Sequence, residues 1–116
     1  MKIENYTFDN ITGEIIYYIG RNAKDNFVVI DNSNANDIWF HAADYSSCHV
    51  VAKIPENMNK KQLKTIIKKG VLLCKQNTLK LRDMNNIKFI YTRIGNITKC
   101  TDDGSVISNN TKTEFC

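Results

Sequence analysis

The sequence predicts a single α+β domain: a mixed, largely antiparallel sheet with one long helix packed on a face. Short runs rich in Ile, Val, Tyr and Phe recur between turn residues, which is typical of strands, whereas residues 59–77 have apolar residues at helical spacing. With 116 residues and 42% hydrophobic content, the chain can build one core and is too short to favour a second domain. We therefore expect residues 1–116 to form one domain with a loose tail at 108–116.

The first thirty residues predict a β-hairpin followed by a short helical turn. Residues 6–8 and 14–19 carry the β-branched and aromatic side chains of strands, and Gly20 ends the second one. Asn22 is a good N-cap with Asp25 three positions later, whereas residues 27–30 are β-prone. We expect one helical turn and then extended chain, which leads into a polar loop.

The longest predicted element is a helix over residues 59–77. Asn59 can cap it, and Gln62 stands three positions later, as in a capping box. Its apolar residues repeat at three and four positions and predict one stripe facing the sheet: Leu63, Ile66, Ile67, Gly70, Val71 and Cys74. Gly70 costs about 1 kcal/mol relative to Ala in a helix, so we expect a close approach of helix and sheet there.

The remaining chain predicts two further strands. Residues 87–92 form the first, and Gly95 with Asn96 makes a hairpin turn into the second at 97–100. A turn at 102–104 follows, before the loose tail.

Residues 37–50, DIWFHAADYSSCHV, hold the only Trp and both histidines of the chain. Strand alternation places Asp37, Trp39 and His41 on one side and Phe40 on the other. A second strand begins at His49, so we predict that the two imidazoles meet across a strand pair and share one proton, leaving one of them neutral near pH 7. Asp37 lies about 13 Å from His41 along the strand and cannot contact it.

A catalytic interpretation of this motif would use a histidine as base and Ser46 or Ser47 as nucleophile. The serines lie in the same loop as the histidines, and the chain has no G-x-S-x-G turn. We therefore expect no catalytic residues and no enzymatic activity.

Two other interpretations stay open. In the structural one, Trp39 and Phe40 anchor the core and Asp37 accepts hydrogen bonds that hold two strands in register. In the binding one, Trp39, His41 and His49 form a surface with Arg21 that stacks on unpaired bases and contacts phosphate.

The net charge of +4 conceals a strong segregation of charge. Residues 1–52 have three basic and seven acidic side chains, whereas residues 53–99 have twelve basic and two acidic ones. A field of this kind attracts polyanions. Lys60, Lys64 and Lys68 are spaced by four and would form a helical row about 12 Å long. Lys60 and Lys61 lie in the first helical turn, where the dipole disfavours cations. Either a bound anion explains them, or codon bias together with ordinary solvation does.

The four cysteines include no C-x-x-C pair, so we expect free thiols, no metal site and no cofactor. No apolar run is long enough to span a bilayer, and the N-terminus lacks the layout of a signal peptide. A cytoplasmic protein is the expectation.

The motifs also resemble a known family. Asp-Ile-Trp-Phe-His at 37–41, Ser-Cys-His-Val at 47–50 and the segment 20–26 look like the NFACT-R domain, the RNA-binding module of NFACT proteins of ribosome quality control. Segments 84–92 and 96–99 resemble its small eukaryotic coiled-coil-domain-containing subgroup. Ser47 departs from the Gly that is usual in the ribosome-associated branch, and the resemblance does not extend to the N-terminal lobe of the larger proteins.

The resemblance implies a non-enzymatic module that binds structured RNA such as tRNA or rRNA, with DNA and the ribosome as further potential partners. The alternative is a protein-interaction module that docks on a ribosomal or membrane-associated partner. Asp37 and Phe40 are expected to be structural. The expected nucleic-acid contacts are Arg21, Asn22, Lys24, Trp39, His41, His49, Lys53, Lys60, Lys61, Lys64 and Lys68.

Overall fold

The structure, a computed structural model, describes residues 1–100 and 105–116. Its strands are β1 (Lys2–Phe8), β2 (Ile11–Gly20), β3 (Ile38–Ala42), β4 (His49–Ala52), β5 (Lys88–Arg93), β6 (Ile97–Lys99), β7 (Val106–Ser108) and β8 (Lys112–Phe115). Six of them form one sheet in the order β1-β2-β4-β3-β5-β8, while β6 and β7 form a separate ribbon. All five pairings within the large sheet are antiparallel. The α+β class and the largely antiparallel pairing are thus confirmed, whereas the large sheet is not mixed as expected.

Two helices cover opposite faces of this sheet. The predicted long helix is α2 (Lys60–Gln76), which packs on the face that carries Phe40. The second helix, α1 (Ala23–Asp31), packs on the face that carries Trp39. The strand pairing confirms the predicted alternation, because Trp39 and Phe40 belong to separate core clusters on the two sides of β3.

The expectation of one helical turn followed by extended chain is wrong, because α1 continues to Asp31. The predicted cap is present, since Asn22 Oδ1 accepts a hydrogen bond from Asp25 N at 2.9 Å. The β-prone residues continue the helix because Val29 and Ile30 are buried against the sheet. Tertiary burial thus overrides their intrinsic strand preference.

The cap and the close approach predicted for α2 are both confirmed. Asn59 Oδ1 accepts from Gln62 N, and Gln62 Oε1 accepts from Asn59 N, each at 2.9 Å. At Gly70, an added Cβ would collide with the ring of Phe40. The missing side chain therefore allows α2 to lie directly on β3.

The C-terminal part differs most from expectation. Residues 94–96 form a 3₁₀ turn, and β6 pairs with β7 instead of forming a hairpin with β5. The tail expected to be loose contains β8, an edge strand paired with β5, and Cys116 exchanges two backbone hydrogen bonds with Ile87 at 2.8 and 2.9 Å. These pairings join distant segments, which local sequence patterns do not specify. The turn predicted at 102–104 lies outside the described residues.

Candidate nucleic-acid interface

The two histidines meet at the ends of β3 and β4, as predicted. Their ring centroids are 4.9 Å apart in an edge-to-face arrangement, and His41 stacks on the Trp39 ring at 5.6 Å. Trp39 Nε1 donates to His49 Nδ1 at 3.3 Å, and His41 Nδ1 lies 2.6 Å from the carbonyl oxygen of Ala42. The histidines therefore contact each other through their rings, and the Nδ1 atom of each one bonds to another group.

Burial contradicts the binding role predicted for two of these residues. Trp39 is 2% exposed and His49 is 4% exposed, so neither ring can stack on an RNA base. Trp39 packs instead against Val29, Ile30 and Val51, which supports the structural interpretation. His41 is only partly buried and is the one member of this cluster that reaches the surface.

Burial also determines the protonation of the cluster. Desolvation, followed by the neighbouring His41, lowers the pKa of His49 to about 3. Desolvation likewise lowers the pKa of His41, against the opposing effect of its hydrogen bond to Ala42. Lowered pKa values favour the neutral form of both imidazoles at pH 7, which differs from the predicted sharing of one proton.

The hydroxyl of Ser47 has a structural role. Its Oγ accepts from Ala42 N and donates to the carbonyl oxygen of Cys48, both at 3.0 Å. Within the described part of the chain, its recorded partners do not include an imidazole. Ser47 thus lacks the nucleophile-to-base contact that its catalytic use would require.

Asp37 is a buried carboxylate that joins three segments. It accepts hydrogen bonds from Asn34 N at 2.8 Å and Ile54 N at 2.9 Å, and it pairs with Lys53 Nζ at 2.7 Å. The predicted structural role is thus supported. Lys53 is committed to this ion pair, which leaves it poorly placed to contact phosphate as the sequence suggested.

The remaining predicted contacts fall into two groups on opposite faces of the sheet. Arg21, Asn22 and Lys24 are exposed at the beginning of α1. The exposed lysines of the other group lie on α2: Lys60, Lys61, Lys64 and Lys68. One continuous strand of RNA cannot use both groups without passing around the sheet, so the predicted surface is divided.

A cleft beside α2 gathers part of the second group with residues that the sequence did not indicate. It has a volume of about 560 Å³ and lies between the N-terminal half of α2 and strands β5 and β8. Its floor includes Ile38, Leu63, Ile67 and Tyr91. From the part of the chain that the structure describes, four cations and one carboxylate line it as well: Lys60, Lys64, Arg93, Lys112 and Glu114. The cleft thus combines an apolar floor with an excess of positive charge.

Arg93 lines both this cleft and a second cavity. The second cavity has a volume of about 470 Å³ and shares Leu63 and Arg93 with the first. The guanidinium of Arg93 donates to the carbonyl oxygen of Asn36, which holds the side chain in place. Because guanidinium has five N–H donors, this contact leaves donors that can bind a ligand.

The sequence analysis did not indicate Tyr91, Arg93 and Lys112 as residues of the cleft. Strand alternation could have placed Tyr91 and Arg93 on the same face of β5. Lys112 could not have been found, because the tail carried no signal of its pairing with Tyr91. Burial and the nearby Glu114 raise the pKa of Tyr91, which keeps its phenol protonated and able to donate.

Two further observations limit the chemistry of this chain. Among residues 1–100 and 105–116, no group of three His, Cys, Asp or Glu side chains could hold a metal ion. Neither α1 nor α2 is long and apolar enough to cross a membrane, and the described residues include no other α-helix.

Comparison with known proteins links the chain to one family. Residues 4–111 match the family described as "NFACT protein RNA binding domain". The chain is 33% identical to coiled-coil domain-containing protein 25 of Danio rerio over 86 residues, which is 73% of this chain and 42% of that protein. Its identity to the Mus musculus protein of the same name is 29% over 86 residues, or 73% of this chain and 41% of that protein.

The fold also occurs in a solved structure, the C-terminal part of the fibronectin/fibrinogen-binding protein from Streptococcus suis. The TM-score is 0.76 at 23% identity, and the match covers 99% of this chain and 45% of that one. This chain thus spans less than half the length of the proteins it matches.

Proposed function

We propose that this chain, which belongs to the NFACT-R family of RNA-binding domains, binds structured RNA such as tRNA or rRNA through the cleft beside α2. The observation that carries this proposal is the convergence of Lys60, Lys64, Arg93 and Lys112 on one cavity. The proposed setting is translation or ribosome quality control in the cytoplasm, and the proposed role is non-enzymatic.

The charges in the cleft support anion binding because they are largely uncompensated. Lys60, Lys64 and Lys112 are exposed, and the ion pairs recorded among residues 1–100 and 105–116 use other cations: the N-terminus, Lys2, Lys53 and Lys99. Among the described residues 1–100 and 105–116, Glu114 is the one carboxylate that lines the cleft. Phosphate contacts from Lys and Arg supply most of the sequence-independent affinity of nucleic-acid-binding proteins.

The helix geometry adds to this attraction. Lys60 begins α2, where unpaired backbone N–H groups and the helix dipole favour a bound anion. A lysine at this position is unfavourable for the isolated helix by about 0.3–1 kcal/mol, and a bound phosphate would remove that cost.

The test is the salt dependence of tRNA binding, measured by fluorescence anisotropy. The triple variant Lys60→Ala, Lys64→Ala, Lys112→Ala should flatten the slope of log K against log salt by about two to three units, because each lost phosphate contact removes about 0.7–0.9. The matched control is Lys80→Ala, Arg82→Ala, Lys88→Ala, which removes the same charge from exposed positions outside the cleft.

The control variant should keep the wild-type slope. Equal slopes for the cleft variant and the wild type would contradict the proposal, as would the absence of any tRNA binding by the wild type at low salt. The tRNA should also be recovered intact after incubation, and its cleavage would contradict the non-enzymatic role.

A further inference from the structure

The lining of the cleft beside α2 favours one kind of ligand. Leu63, Ile67 and Tyr91 belong to its apolar floor, while Lys60 and Lys112 supply positive charge at the same cavity. A phosphate alone would leave the apolar floor in contact with water. A nucleotide satisfies both parts, because its base has a flat apolar face and its phosphate is an anion.

We infer that this cleft binds an unpaired nucleotide of the RNA, with its base against Tyr91 and its flanking phosphates on the lysines. The inference rests on the proposed function and specifies the bound part of the RNA as single-stranded. Tyr91 was not among the residues that the sequence indicated, and the Trp39 ring predicted for this purpose is buried.

The position of Tyr91 is suited to stacking. It lies on β5 and is only partly buried, so part of its ring faces the cleft. The ring of Phe40 lies 6.2 Å from it and packs beneath Gly70 of α2. A platform held in this way needs little reordering on binding, which lowers the entropic cost of a stacked base.

The cleft has the size of a small-ligand pocket, and it suits an unpaired nucleotide better than a base pair. Its volume of about 560 Å³ falls within the range of about 300–1,000 Å³ that is usual for small-ligand pockets. Bases inside a duplex are stacked and paired, so they cannot turn a face towards Tyr91 without being extruded.

The second cavity extends the inference to two consecutive nucleotides. Its volume is about 470 Å³, and its lining includes the apolar side chains of Ile54, Pro55 and Met58. Arg93 lines both cavities, so its guanidinium can bind the phosphate that joins the two nucleotides. Guanidinium binds phosphate through paired N–H donors, which a lysine there could not reproduce.

The experiment compares single-stranded and duplex RNA. Binding of a fluorescent pentanucleotide and of a blunt duplex is measured for the wild type, Tyr91→Leu and Tyr91→Phe. Tyr45→Leu is the matched control, because Tyr45 is 40% exposed and is not part of either cavity lining. Tyr91→Leu should weaken pentanucleotide binding about tenfold and duplex binding less than twofold, whereas Tyr91→Phe and Tyr45→Leu should bind as the wild type does.

A second measurement needs no variant and so does not depend on the folding of Tyr91→Leu. A pentanucleotide containing 4-thiouridine, photocrosslinked to the wild-type protein, should attach to the peptide that contains Tyr91. A crosslink to the peptide that contains Tyr45 would overturn the inference.

The outcomes separate the inference from the proposed function. Tight pentanucleotide binding by Tyr91→Leu, or displacement of the pentanucleotide by polyglutamate and by duplex RNA equally well, overturns the nucleotide site. The lysine salt dependence would still stand in that case. If the wild-type protein bound neither the pentanucleotide nor the duplex nor tRNA, the proposed function itself would be overturned.

Discussion

Replacing Gly70 by Ala should destabilise the protein, although the same change stabilises most helices. Gly70 is buried within α2, and a Cβ built on it would overlap the ring of Phe40. Phe40 is itself fully buried between the sheet and α2, so its ring cannot turn towards solvent. Either α2 must move away from β3 or the ring must leave its rotamer.

The magnitude follows from two opposing effects. The helix propensity of Ala favours the variant by about 1 kcal/mol. Overpacking of a close-packed core costs about 1–3 kcal/mol, and an overlap with a buried aromatic ring belongs at the upper end of that range. The net loss should be about 2 kcal/mol, which corresponds to a decrease in Tm of about 8 °C or somewhat more for a domain of this size.

Urea denaturation followed by circular dichroism measures this loss. Gly95→Ala is the matched control, because its Cβ would lie 3.5 Å from Ala35, an ordinary contact, and its stability should stay close to that of the wild type. In a double-mutant cycle, Phe40→Leu should recover part of the loss caused by Gly70→Ala. A Gly70→Ala variant as stable as the wild type would refute the packing argument.

Three further predictions concern the core. Acid should destabilise the protein below about pH 6.5, the unperturbed histidine pKa, because folding holds His49 neutral until about pH 3. In His49→Gln, the free energy of unfolding should fall less steeply with decreasing pH, by up to about 1 kcal/mol per pH unit. Urea titrations at pH 5 and pH 7 measure this difference. Asp37→Asn should lower the free energy of unfolding by about 3 kcal/mol, because Lys53 loses its buried anionic partner and the new NH2 group faces a backbone N–H donor. The control Asp44→Asn, at an exposed position, should stay as stable as the wild type. The two buried thiols, Cys48 and Cys74, should react with an aromatic disulfide reagent only on unfolding, whereas the other two react at once; rapid reaction of all four would contradict this burial.

The elements that the sequence predicted well depend on short-range signals. The caps of both helices, the alternation along β3 and the close approach at Gly70 each involve residues a few positions apart or one unusual residue. The resemblance to the NFACT-R family rested on the same kind of local motif, and the family match confirms it.

The elements that were missed depend on distant partners. Strand β8 exists because β5 offers it a free edge, and Val29 and Ile30 stay helical because Trp39 and Val51 cover them. The cleft combines residues separated by about fifty positions, so Lys112 meets the α2 lysines only after the sheet has formed. The sequence could not predict the burial of Trp39 either, since an aromatic residue beside histidines suits both a core and a stacking surface.

Lysine acetylation footprinting tests the location of the RNA site most directly. Wild-type protein is treated with acetic anhydride, with and without saturating tRNA, and acetylation of each lysine is measured by mass spectrometry. We predict that tRNA protects Lys60, Lys64 and Lys112 several-fold and leaves Lys80 and Lys88 unprotected. Protection of Lys24 at the opposite face, with the three cleft lysines still reactive, would contradict the account.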